Sequence, residues 1–280
     1  MSHLESAGED LSGRDEVSTP VREGLPATYR MRADSHYVDL LTARPSAGRE
    51  PVSPPRGAET ASLSEVATRA DGELERTLGS LTACTDFLSR SDSDLSRTIA
   101  DTLLRAELWR ASCLLNATRV LRQELPAVRI PLPVRRVLDQ LVNGFAPERR
   151  LRMIEFDVKS SLPSDAVMIT DERFVLVVLS SAVRAVLSLF NEVAGATVRV
   201  GAGAEAGDTM TFTISQNTVA VADAWIARAF DRTWVDRPGG LPTLTSMLAL
   251  KQAAETLGGH VSIAAVGLGT AITISIPAGI

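Results

Sequence analysis

The last forty residues narrow the choice of fold more than any other stretch of this chain. From Gly239 the sequence runs GGLPTLTSMLALKQAAETLGGHVSIAAVGLGTAITISIPA. It spells a helix of moderate length, a stop at Gly258-Gly259, a strand, a tight turn at Gly267-Leu268-Gly269-Thr270 and a last strand closing at Pro277. Upstream the pattern alternates in the same way. The spacing predicts a helix near 134–145, strands around 152–158 and 166–170, and a strongly apolar helix over 171–191. Strands near 197–203 and 209–215 and a short helix at 222–230 follow. Helices mixed with antiparallel strands in this order imply helices on one face of a mixed sheet.

The preceding segment has a different period. From Ala61, residues Leu63, Val66, Ala70, Leu74, Leu78, Leu81, Thr85 and Leu88 step by three or four, the mark of an amphipathic helix. Ser91-Asp92-Ser93-Asp94 offers N-caps for a second helix. That helix carries one stripe of Leu95, Ile99, Leu103, Ala106, Trp109, Cys113, Ala117 and Val120. Beside it runs another, Leu104, Leu108, Ala111 and Leu115. The pair forms an antiparallel hairpin whose apolar face is too wide for one partner helix. Dimerisation into a four-helix bundle would cover the excess, and so would packing on the rest of the chain. Pro126, Pro131 and Pro133 end the helical region. Residues 1–60 hold six of the fourteen prolines and no sustained period, and read as a disordered or flexible arm.

With 280 residues, 45% of them apolar and 22% charged, the chain can hold one or two domains with a real core. A net charge of -5 argues against a general nucleic-acid binder. Arg149, Arg150 and Arg152 could meet phosphate or form a solvated turn. Cys84 and Cys113 sit in apolar helical stretches and read as buried small hydrophobes, with no metal spacing and no disulfide framework. The start, MSHLESAGEDLSGRDE, is acidic and unlike a signal peptide. The longest apolar run, 174–190, is broken by Arg184 and too short to span a bilayer, so a cytoplasmic chain is expected.

In order and spacing, residues 61–280 resemble the core of a sensor histidine kinase. That core is a dimerisation and phosphotransfer hairpin, here 61–125, followed by a GHKL (Bergerat-type) ATPase domain, here 126–280. The resemblance implies an α+β chain: an N-terminal helical hairpin in a dimeric four-helix bundle, then an α/β sandwich. It also identifies what has changed. In the family's first ATP-site helix, D-x-x-x-[apolar]-x-x-V-L-x-N-L-x-x-N-A-x-K-F, this chain keeps Asp171, Val178 and Leu179. The two asparagine positions hold Ser181 and Ala185, and the lysine position holds Ser188. A methyl group gives no lone pair to the hard cation that the second asparagine would hold. In the family's V-x-D-x-G-x-G-I segment, Gln216 replaces the adenine-binding aspartate, Thr218 and Ala220 replace the glycines, and Val221 the isoleucine. Gln216 retains an acceptor oxygen, whereas side chains at 218 and 220 would crowd the base. The glycine-rich phosphate lid falls on Thr243-Leu244-Thr245-Ser246-Met247. The phosphoacceptor histidine falls on Gly72, beside Glu73, and no histidine stands between His36 and His260.

The resemblance thus implies a catalytically inactive, kinase-like member of a two-component system, with no catalytic residue, no metal and no use of ATP or Mg²⁺. It would act by binding a response-regulator receiver domain or an active histidine kinase, through the surface around Glu73, Glu75 and Arg76 or as ordinary solvated helix. It would be a homodimer, without nucleic-acid or membrane partners. An alternative is a variant GHKL ATPase or protein kinase acting in trans through an altered pocket. A third is another small ligand in that pocket, unless side chains fill it.

Overall fold

A computed structural model describes residues 62–90, 93–189, 196–205, 208–234 and 240–279. The arm expected over 1–60, the cap candidates Ser91 and Asp92, and Gly239 lie outside these residues. Two long helices, α1 (Leu63–Arg90) and α2 (Asp94–Leu121), form the antiparallel hairpin. Ser93 caps α2, its hydroxyl accepting from the Ser96 amide. Then come β1 (Ile130–Pro133), α3 (Val134–Arg152), β2 (Glu155–Ser160), β3 (Val167–Thr170) and α4 (Glu172–Ser188). The chain continues with β4 (Thr197–Glu205), β5 (Thr209–Gln216), α5 (Asp223–Arg228) and α6 (Gly240–Thr256), and closes with β6 (His260–Val266) and β7 (Gly269–Pro277).

Five strands make one mixed sheet in the order β2-β4-β5-β7-β6, with β2 parallel to β4 and the other pairs antiparallel. One side of it carries α3, α4 and α6, as the alternation predicts. Inward residues such as Val198, Val200, Phe212, Ile214, Ile272 and Ile274 build the core with those helices. The hairpin is a third layer laid across α4 and α6, and Val66, Ala67, Ala117, Val120 and Leu121 join the same core. A helix between two layers has no solvent face, which explains why α4 is apolar almost all round. In α6, all eight residues of 243–250 are buried.

The two stripes of α2 part company. Leu103, Ala106, Cys113, Ala117 and Val120 of the first are buried in this intramolecular packing. From the second, Leu108 and Leu115 remain 50% and 44% exposed, level with Leu78 of α1 at 50%. Cys84 and Cys113 are free and buried, as expected from their apolar neighbours.

Three local readings are corrected. The segment of Pro131 and Pro133 is a strand: β1 pairs with β3, Ile130 opposite Thr170 and Leu132 opposite Met168. A two-stranded ribbon leaves β1 an open edge, where proline's missing N–H costs no ladder bond. Helix α3 runs through Pro147 to Arg152, since Phe145 and Glu148 both need the helical phase to reach buried partners. The strand that follows therefore starts at Glu155, and Arg149, Arg150 and Arg152 form the last helical turn.

Asp171 begins α4 and fastens the linker to it. Its carboxylate accepts from the Arg173 amide at 2.9 Å, from Arg173 Nη2 at 2.7 Å and from the Val128 amide at 2.7 Å. Burial pushes this carboxyl up, but the Arg173 and Val128 hydrogen bonds prevail and hold it below the usual carboxylate range. Replacing Asp171 with Ala should cost about 1–3 kcal/mol in urea unfolding, by loss of the cap and of the linker bond. Asp171→Asn, which keeps an acceptor, should lose less.

Candidate functional site

The positions matched to the family's nucleotide-site pattern lie on α4 and α6, which pack against each other. Ser181 and Ala185 on α4 are 3% and 0% exposed, and Thr245 and Met247 on α6 are 1% and 0% exposed. Cys113, Leu114 and Ala117 of α2, with Glu73 of α1, border a cavity of about 20 Å³ together with Arg110, Arg184, Thr245 and Ser246. That volume holds roughly one water molecule. The Thr245 hydroxyl beside it has no hydrogen-bond partner among the described residues. Packed side chains of α4 and α6 fill the surroundings of this cavity. Ser188 and Thr243 bond to each other, the Thr243 hydroxyl donating to Ser188 Oγ at 2.8 Å.

The Gln216 segment is held by its own side chain. The Gln216 carbonyl oxygen accepts from the Thr218 amide at 2.6 Å, the Thr218 hydroxyl at 3.0 Å and the Val219 amide at 2.9 Å. Its amide nitrogen donates to the Val219 carbonyl. The acceptor oxygen retained at Gln216 is therefore engaged by its own turn. Thr270 holds the same turn from β7, donating to the Val219 carbonyl at 2.7 Å and accepting from the Val221 amide at 3.2 Å. A Cβ at Gly269 would collide with the Gln216 carbonyl, which explains that glycine. Ala220 is exposed and Thr218 half-buried.

Sequence reasoning missed a cluster of buried charge that joins three helices. Glu148 of α3 lies 3.9 Å from Arg110 of α2, 3.5 Å from Arg152 and 4.0 Å from Arg184 of α4. Glu107 of α2 pairs with Arg110 at 2.9 Å and is itself buried. Arg152 also donates to the Leu187 carbonyl at 3.2 Å. Burial alone would raise the Glu148 carboxyl, but Arg110, Arg184 and Arg152 outweigh it and hold it below its ordinary value. Arg184 interrupting an apolar helix was the one visible signal, and a charge there needs a buried partner. Burial and Glu148, in the last turn of a helix that seemed to stop earlier, supply the answer.

At the upper hairpin, Gly72 is exposed and a Cβ there would meet nothing within 4 Å. Glu75 and Arg76 are exposed, but Glu73 is not part of that surface. Its side chain is 13% exposed and borders the interface cavity, 2.5 Å from Arg76. His260 is exposed at the start of β6. Among the described residues no helix is long and apolar enough to cross a membrane.

A helical hairpin seated on a mixed sheet with three covering helices is similar in fold to a solved histidine kinase. Full-length ShkA, solved in complex with AMPPNP, superposes with a TM-score of 0.50 at 18% identity, over 78% of this chain and 46% of that one. The histidine kinase ThkA, in a complex with the response regulator TrrA, gives 0.48 at 12% identity over 77% of this chain and 62% of that one. AdeS of Acinetobacter baumannii gives 0.47 at 11% identity, over 74% of this chain and 97% of that one. This chain thus spans about half of ShkA's length, and at these identities the likeness is one of fold. No family profile matches the sequence, and no curated protein does.

Glu148→Ala should cost about 3–5 kcal/mol in chemical unfolding, because it strands buried guanidinium groups. Glu148 and Asp171 both have depressed folded pKa values, so their contribution is complete above the ordinary carboxylate range and is lost as pH falls through the lower folded values. Urea midpoints should therefore fall off steeply below about pH 4. In Glu148→Gln the neutral-pH midpoint should be lower and the acid limb shallower.

Proposed function

We propose that this chain is a catalytically inactive, histidine-kinase-like signalling protein that works in a two-component system by binding other proteins. The observation that carries this reading is the burial of Ser181, Ala185, Thr245 and Met247, the positions matched to the family's nucleotide site, with Thr245 lining a cavity of about 20 Å³ that the hairpin borders. Gln216, committed to its own turn, supports it at the adenine end. Glycine at the phosphoacceptor position supports it at the hairpin, since without a nucleophile there is no group to phosphorylate. The residues present do not suit Mg-ATP. No lone pair at Ala185 awaits the cation, and α6 presents packed side chains where backbone amides would grip phosphate.

The partner is a response-regulator receiver domain, held without phosphotransfer on the upper hairpin beside Glu75 and Arg76. The second partner is another copy of this chain. Leu78, Leu108 and Leu115 expose apolar surface along both hairpin helices, and a four-helix bundle would bury it.

Mg-ATP should leave the melting temperature unchanged, where a ligand at a hundred times its Kd would add about 2.7 kcal/mol. A saturable shift would instead favour the variant ATPase. Gly72→His should fold, since the position is open, and should take up no label from radioactive ATP. Leu108→Glu should convert a dimer to a monomer in sedimentation with little change in monomer stability. Capture of no receiver domain by the full chain would remove the partner assignment.

A further inference from the structure

From Thr256 to Ile280 the chain has no Asp, Glu, Lys or Arg, although 22% of all residues are charged. This stretch forms β6 and β7, and β6 is the end strand of the five-stranded sheet, paired only with β7 among the described residues. The opposite end strand, β2, carries Glu155, Asp157 and Lys159. Charges of that kind are how soluble proteins keep an open edge from pairing. β6 reads HVSIAAV and has none; its Val266 is 61% exposed, and Leu268 in the adjoining turn is 80% exposed.

The register fixes which backbone groups are open. Gly267 and Leu268 form a two-residue turn, with Gly267 at φ +60, and Val266 pairs with Gly269 to close it. In such hairpins the closing pair is hydrogen-bonded and the pairs then alternate. His260, Ser262, Ala264 and Val266 accordingly bond β7, while Val261, Ile263 and Ala265 aim their N–H and C=O groups at the open edge.

We propose that β6 pairs antiparallel with β6 of a second copy across a twofold axis at Ile263, joining two sheets into one. Ile263 then faces its own copy and Val261 faces Ala265, so that about six backbone hydrogen bonds form. The occupant is a second copy because an antiparallel strand is complementary to itself under a twofold axis, and this one carries no Asp, Glu, Lys or Arg to repel its image. A foreign strand selected by charge would find no charge on β6 to read. Edge pairing of this length buries an area at the low end for specific interfaces, so the association is concentration-dependent. It is separate from the hairpin contact, on another part of the chain, and does not depend on whether nucleotide binds.

Hydrogen exchange on the full chain carrying Leu108→Glu tests it without the hairpin dimer. The amides of Val261, Ile263 and Ala265 should gain protection as concentration rises, while those of Ser262 and Ala264 stay protected throughout. Sedimentation should saturate at the mass of a dimer. Ala265→Pro, which deletes an edge donor, should abolish both effects, and Ala264→Lys, which sets like charges near the axis, should do so too if the proline variant does not fold. Fast exchange at every concentration means an open edge and overturns the proposal. Protection independent of concentration, which means cover by the chain's own residues, overturns it equally, as does open-ended growth past a dimer.

Discussion

The seating of the hairpin across α4 and α6 governs the rest of the molecule. Once Ala117, Val120 and Leu121 sink into the core, α4 and α6 lose their solvent faces and their sequences must be apolar in nearly every direction. Such packing tolerates small slides, because carbon surfaces are not directional. The Glu148 cluster does not tolerate them. Arg110 on the hairpin and Arg152 and Arg184 on the domain converge on one carboxylate, so a shift of one residue along α2 would strand ions away from water. Hydrophobic burial brings the layers together, and the charges set where they stop.

The positions compared with the kinase pattern have local partners within this fold. Residues retained from the kinase pattern have work to do in the backbone or the core. Asp171 caps α4, Gly269 passes under the Gln216 carbonyl, and Val178 and Leu179 are fully buried. The substituted positions answer to neighbouring side chains instead: Ser188 bonds Thr243, and Gln216 closes its own turn.

Much of this architecture could be read locally. The hairpin, the Asp171 start of α4 and the closing β-hairpin all announce themselves through periodicity, a cap or a glycine turn, signals that lie within a few residues of the feature. Failures came where the deciding partner is distant in sequence. Pro131 and Pro133 look like breakers until β3 supplies an edge to pair with, and Pro147 looks like an end until Glu148 is seen to need Arg110 and Arg184. A helix pattern gives faces but not which neighbour covers each one, so Glu73 reads as solvent-facing although its side chain borders a cavity. The replaced glycines and asparagines of the pocket were legible; the use of Gln216 to build a turn was not, since an amide can bond a ligand or its own chain equally well.

The two sides of the hairpin now carry unequal obligations. Its inner stripe is committed to the domain through the core and the buried ions, so any rotation of the hairpin away from α6 must break both. Removing one buried ionic partner is worth several kcal/mol, enough to hold the closed arrangement against thermal motion. The outer stripe has no such commitment, and Leu78, Leu108 and Leu115 remain available without any change to the interior. A chain built this way can exchange partners on its outside while the covered face stays shut.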